Sequence, residues 1–253
     1  MRRPAQRRVH CETWVELEAP AALFRDDPAL GGAPVGETAR AMMGQILTGV
    51  AARAVTFGFE LSAACPIERV EIHNRTQLVE LFRPYAPDMQ SRRIRVLWEG
   101  SEYRGRGRET LWQGTLALTG NNWREVRPIN RFNLDRRFEV APDGLAFEGV
   151  TTGGFMGMEA MLAEPTAGEL VIETNILHAR LPVRTIGHDD TVFEAGGLSR
   201  RVRAFRLPPA NHHRRVRASR SVALRADEDN ALFIRATLED GNVVWSSPIY
   251  LVP

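Results

Sequence analysis

Residues 230–252, NALFIRATLEDGNVVWSSPIYLV, hold the pattern that decides the fold. Ala231, Phe233, Arg235 and Thr237 alternate with Leu232, Ile234, Ala236 and Leu238, and the run is rich in β-branched and aromatic residues, as a strand with two unlike faces requires. Asp240-Gly241-Asn242 follows, and these residue types tolerate the positive φ of a tight hairpin turn. Val243, Val244 and Trp245 open a second extended run that ends in Ile249, Tyr250 and Leu251. An isolated hairpin is marginal in water, so this one must pair with strands from earlier in the chain. It reads as the closing hairpin of a β-sheet domain, with Trp245 expected in the core.

Upstream the same signal recurs. Residues 54–63, 67–74, 78–82, 93–98 and 110–119 read as strands, separated by Gly, Pro, Asn and Asp. The series continues through 126–129, 145–151, 155–162, 169–174, 179–183, 202–207 and 222–226. Parallel α/β architecture is disfavoured because crossover helices are missing. The expectation is a mostly β protein, an antiparallel β-sandwich (Ig-like) with an inserted second β-rich module and one short N-terminal helix. That helix is expected over 37–50, where Ala39, Met42, Met43, Ile46, Leu47 and Val50 fall on one helical face, although Gly44 and Gly49 weaken it. Punctuation near 99–102 and 194–198 gives the expected division: an N-terminal segment over 1–50, a sandwich from 51–98 plus 198–253, and the inserted module over 99–197. The four arginines of residues 1–8 read as a frayed end.

Composition bounds the functional classes. A chain of 253 residues buries roughly 70–75% of its unfolded surface, enough for one large core or two smaller ones. All 33 basic residues are arginine, which codon bias in a GC-rich genome explains; selection for bidentate anion binding needs local support. A net charge of +2 supplies no field that argues for nucleic acid. Cys11 and Cys65 have neither zinc-type spacing nor the density of a disulfide scaffold. The basic N-terminus lacks an apolar stretch behind it and no window of about 18 residues is free of charge, so neither a signal peptide nor a membrane span is expected, and the expected address is cytoplasmic.

Motifs that carry chemistry are scarce. The histidines are His10, His73, His178, His188, His212 and His213, with no His-x-His or HExxH among them. His188-Asp189-Asp190 reads as an exposed turn, since three adjacent residues of an extended chain do not face one ion. No serine sits in a GxSxG elbow, and Cys65, before Pro66 and between apolar runs, reads as a buried inert thiol. Glu68 and Glu71 lie three apart in a strand and so point to opposite faces, which excludes a paired-carboxylate site. In an extended segment Arg104, Arg106 and Arg108 share one face, with Trp112 four residues on; this is the candidate anion-binding site, weighed against a charged edge strand that blocks aggregation. Residues 198–225 hold nine arginines and no acid, but Glu99, Glu102, Glu109, Asp227, Glu228 and Asp229 flank these basic blocks, so internal ion pairing is expected rather than a nucleic-acid face.

Several stretches taken together resemble a known family. PIERVEI at 66–72 is similar to a strand that follows the catalytic domain in the PHP (polymerase and histidinol phosphatase) superfamily. YRGRGR at 103–108, with WQG at 112–114, resembles an "RGR…WdG" stretch of the same proteins, and PIN at 128–130, TTG at 151–153, DG at 240–241 and WSSPI at 245–249 also fit. The resemblance covers roughly residues 60–253, and residues 1–50, including 8–12, resemble at most a diverged tail of the preceding domain. In those relatives that domain is a metal-binding phosphoesterase, a distorted α/β barrel whose ligands include a His-x-His pair; none has a counterpart here. The resemblance therefore implies a non-catalytic module, with no metal or cofactor of its own, acting as partner or remnant of a separately encoded catalytic chain. Two alternatives stand beside it: a free-standing binding module for an anionic ligand at Arg104, Arg106, Arg108 and Trp112, and a hydrolase whose site follows no recognised motif.

Overall fold

A computed structural model of the chain describes residues 9–253; the arginine-rich end, 1–8, lies outside them. The fold is mostly β. In chain order the strands are β1 (Val9–Phe24), β2 (Gly36–Met42), β3 (Ile46–Thr48), β4 (Ala54–Ala63), β5 (Ile67–Asn74) and β6 (Gln77–Phe82). Then follow β7 (Arg93–Ser101), β8 (Thr110–Thr119), β9 (Trp123–Ile129), β10 (Phe138–Ala141), β11 (Gly144–Thr151), β12 (Phe155–Leu162) and β13 (Glu169–Thr174). The last are β14 (His178–Pro182), β15 (Thr191–Glu194), β16 (Leu198–Arg206), β17 (Arg215–Ala223), β18 (Asn230–Leu238), β19 (Val243–Trp245) and β20 (Ile249–Val252). The helices are two single 3₁₀ turns, Pro28–Leu30 and Val183–Thr185.

The helix expected over 37–50 is absent; β2 and β3 occupy that stretch. Gly44 and Gly49 take φ of +84° and +72°, the left-handed region, which ends any helix and builds turns instead. Gln45 closes the first turn by donating its backbone N–H to the Met42 carbonyl, while its side-chain carbonyl accepts from the Met42 N–H. Of the apolar residues read as one helical face, Ala39 and Met42 fall on β2, Ile46 and Leu47 on β3, and Met43 and Val50 lie outside both strands.

The described residues divide into two units, 9–85 with 212–253, and 86–211. In the first unit a single sheet runs β17-β4-β1-β3-β20-β18-β5-β6, with β2 added on β1 and β19 on β18. Its pairings are antiparallel except β20 with β3. The long strand β1 serves both halves of the sheet, and a register shift between Glu16 and Ala21, across Pro20, bends it. The two ends of this path meet through side chains: Arg220 of β17 donates Nε to Glu80 of β6 at 2.7 Å and lies 5.2 Å over the Phe82 ring. The sheet thus encloses its own core, in which Val15, Leu47, Phe57, Phe59, Ile72 and Ile234 are fully buried. Trp14 lies across β4 at Gly58, where a Cβ would stand 2.2 Å from the indole, so only glycine admits the ring.

The closing hairpin is central to this unit. Leu238 donates to the Asn242 carbonyl and Gly241 to the Leu238 carbonyl, with Gly241 at φ +84°, as the Asp-Gly-Asn turn chemistry requires. β18 pairs with β5 on one side and with β19 and then β20 on the other. Ser246 bridges the break between β19 and β20: its N–H donates to the Ile234 carbonyl and its hydroxyl accepts from the Ile234 N–H.

The second unit has two five-stranded antiparallel sheets, β10-β11-β8-β13-β14 and β15-β16-β7-β12-β9. Inward residues of both sheets, among them Trp98, Trp112, Phe147, Met158 and Ile172, share one core, so the unit is a two-layer sandwich. Trp98 and Phe147 stack across it with ring centroids 4.0 Å apart. Strands 93–98 and 202–207, assigned from sequence to the first sandwich, pair with each other here as β7 and β16.

Candidate functional site

The structure separates the four residues that sequence grouped as an anion site. Residues 102–109 form an exposed loop between β7 and β8, and Gly105 and Gly107 adopt φ of +102° and +74°. The segment is therefore not extended, and alternation no longer aligns Arg104, Arg106 and Arg108. These three are exposed and make no ion pair or hydrogen bond among the described residues. Trp112 is fully buried, its indole N–H donating to Thr151 Oγ1 at 2.9 Å while that hydroxyl donates to the Gly100 carbonyl at 2.7 Å. It has no face to offer a ligand. The aromatic ring that the loop exposes is Tyr103.

Most arginines of the second basic stretch are taken up by ion pairs and carbonyls, as expected, although several of the acids come from distant strands. Glu99 accepts from Arg201 Nε at 2.5 Å and from Arg203 Nη2 at 2.8 Å, and Arg203 also reaches Asp190 at 2.6 Å. Arg206 donates to the backbone carbonyls of Ile186, Val183 and Ser91. On β17, Arg215 donates to Glu60, and Arg225 beyond it pairs with Glu228. His188-Asp189-Asp190 is consequently not a free turn, because Asp190 is fastened to β16.

The densest charge cluster surrounds Glu159 on β12. Opposite it in register stand Arg95 on β7 and Arg127 on β9. Arg93 donates Nε and Nη2 to Glu159 Oε1 at 3.0 and 2.8 Å, and Arg95 donates Nη2 to Oε2 at 2.6 Å. Burial alone would raise the Glu159 pKa; the charges of Arg95 and Arg93 overcome it and hold the carboxyl below its ordinary range. A cleft of about 210 Å³ opens beside this cluster, lined by Arg93, Glu125, Arg127, Glu159, Met161 and Pro209. A carboxylate kept ionised by two guanidinium groups neither donates a proton nor takes one readily, so this arrangement braces strands rather than performing acid–base chemistry.

Glu68 and Glu71 also serve arginines. Glu68 is fully buried with Arg69 Nε at 2.7 Å. Glu71 accepts from Arg235 Nη1 at 2.8 Å and lies 3.4 Å from His73 Nε2. Burial would raise its pKa, but the bond to His73 and the charge of Arg235 prevail and bring it down to about 2. Among the described residues no three His, Cys, Asp or Glu side chains gather where an ion could be held. Neither cysteine is in a disulfide and both are part-buried, so Cys65 is less enclosed than sequence implied, and burial pushes the Cys11 thiol up to about 11. Among the described residues no helix is long and apolar enough to cross a membrane.

One exposed cluster was missed from sequence. Trp245, expected in the core, is 58% exposed on the outward face of the first unit's sheet, whereas the other four tryptophans are buried. Its ring lies 5.9 Å from that of Phe233, and Arg235 is centred 5.4 Å over it. Phe233 in turn stacks on His73 at 5.1 Å, and Tyr250, 41% exposed, stands opposite Ala231 on the same face. The signal was present: counting back from the Asp-Gly-Asn turn pairs Trp245 with Arg235, whose parity points outward. No family model matches the chain, nor does any curated protein or solved structure.

Proposed function

We propose that this chain is a non-catalytic β-rich module, similar to the C-terminal part of PHP-type metallophosphoesterase-like proteins, that works as the partner or remnant of a separately encoded catalytic chain. One observation carries the reading: the buried carboxylates are committed to arginines. Glu159 is held by Arg93 and Arg95, Glu99 by Arg201 and Arg203, and Glu71 by Arg235. Such pairs stiffen and register strands, and they remove from chemistry the groups that would bind metal or move protons. The test is metal analysis together with hydrolysis of phosphate mono- and diesters by the purified chain. The expected result is no stoichiometric Zn, Mn or Fe and no turnover. Tightly held ions in stoichiometric amount, with metal-dependent hydrolysis, would overturn the proposal.

A second reading, a binding module for an anionic ligand, is favoured by the loop at Arg104, Arg106 and Arg108, whose guanidinium groups face solvent without acidic partners among the described residues. There Tyr103 rather than Trp112 is the ring available to a ligand. Arg106→Ala is expected to weaken binding of inorganic phosphate or a phosphorylated sugar, read by calorimetry; unchanged affinity would end this reading.

A further inference from the structure

We propose that the outward face of β18 and its neighbours is a platform for a neutral oligosaccharide, with Trp245 as the main stacking ring and Tyr250 as a second. A tryptophan exposed over half its surface forfeits most of what burial would return, yet this one is held in place by contact with Phe233 and Arg235. Among the described residues β19 pairs with β18 alone, and the indole stays 58% exposed. A rigid, flat apolar surface is thereby presented to solvent. The C–H face of a sugar ring lies flat on such a surface through summed dispersion contacts.

Polar groups at the rim select the ligand. Arg235 gives Nη1 to Glu71, and among the described residues its Nε and Nη2 have no partner beside the indole. Those donors suit the hydroxyls of a sugar. The guanidinium is already neutralised, because Glu71 stays ionised down to about pH 2. An anionic ligand would therefore find no net attraction here, in contrast to the loop at 102–109, whereas an uncharged polyol loses nothing. Length selects as well. Trp245 stands opposite Arg235 and Tyr250 opposite Ala231, four residues apart on one face of β18, or roughly 13 Å at the usual rise of a strand. That separation exceeds one sugar ring, so an oligosaccharide can touch both aromatic groups and a monosaccharide only one.

The experiment titrates the full chain with neutral hexaoses (cellohexaose, xylohexaose, maltohexaose and chitohexaose), with glucose, and with the acidic hexamer of galacturonic acid. The readout is the heat of binding in calorimetry, which reports equally on variants that lack Trp245. Saturable binding of at least one neutral hexaose at millimolar concentration is expected. Its affinity should fall about tenfold or more in Trp245→Ala, recover in part in Trp245→Phe, and fall less in Tyr250→Ala; glucose should bind about tenfold more weakly than the hexaose. No saturation by any neutral hexaose overturns the proposal. So does preference for the acidic hexamer, or binding that survives Trp245→Ala. A concentration-dependent blue shift with dimer formation in sedimentation, abolished by Trp245→Ala, would identify the face as an interface between copies and overturn it equally.

Discussion

Trp112 and Trp245 exchange the places that residue type alone suggests for them. Trp112 follows an exposed arginine loop and reads as a ligand-stacking ring, while Trp245 sits in the most apolar hairpin and reads as core. In the structure Trp112 is fully buried and Trp245 is 58% exposed. The difference lies in their partners. Trp112 is on β8, the middle strand of a five-stranded sheet, opposite the small inward Gly149 of β11 and beneath the other sheet of the sandwich. Trp245 ends the three-residue β19, opposite the outward Arg235. Side-chain direction in a strand follows from register, so a bulky apolar residue goes where its cross-strand neighbour points. What the second unit encloses as packing, the first presents as a surface.

That contrast sets the expected effects of substitution. The largest is at Trp112: replacement by Ala should cost about 3–5 kcal/mol, by loss of ring burial and of the indole bond to Thr151, read as a lower midpoint in urea unfolding. An unchanged midpoint would break the comparison on its buried side. Glu159→Ala should cost nearly as much, roughly 3–5 kcal/mol, because it removes at once the ion pairs to Arg93 and to the fully buried Arg95. The double variant Glu159→Leu with Arg95→Met should recover much of that loss, which separates a bracing role from a catalytic one.

A smaller effect is expected from acid. The Glu71 pKa is depressed from 4.5 to about 2, so its contribution is complete above about pH 4.5 and fades as pH falls towards 2. The shift corresponds to roughly 3 kcal/mol at most. The stability gap between the native chain and Glu71→Gln should therefore be widest near neutrality and narrow in acid; a gap that widens on acidification would have the wrong sign. The smallest effect is at Trp245, where Ala should cost less than about 1 kcal/mol, since most of the ring is already in water. A loss comparable with that at Trp112 would erase the distinction between the two regions.

The β class was legible because period-two alternation and Gly, Pro, Asn and Asp punctuation are local. The pairing of residues 198–225 with acids was legible in part: Glu228 lies three residues from Arg225 and takes it, whereas Glu99 and Glu102, about a hundred residues away, reach Arg201 and Arg200 only through the pairing of β16 with β7. The helix over 37–50 was misread because Met42, Met43, Ile46 and Leu47 satisfy a helical period as well as two short strands; the positive φ of Gly44 and Gly49 decides it. The pairing of β7 with β16 was not legible, as it joins residues about a hundred apart and alternation within a strand names no partner. The aromatic face was hidden for the opposite reason. Its residues are close in sequence, but only the hairpin register turns Trp245 outward.

Acrylamide quenching of tryptophan emission tests most directly whether Trp245 lies at the surface. The native chain should show a red-shifted, readily quenched component that Trp245→Phe removes, leaving blue, protected emission from the four buried rings. Emission that is blue and protected throughout, or a quenchable component that survives Trp245→Phe, would contradict that placement.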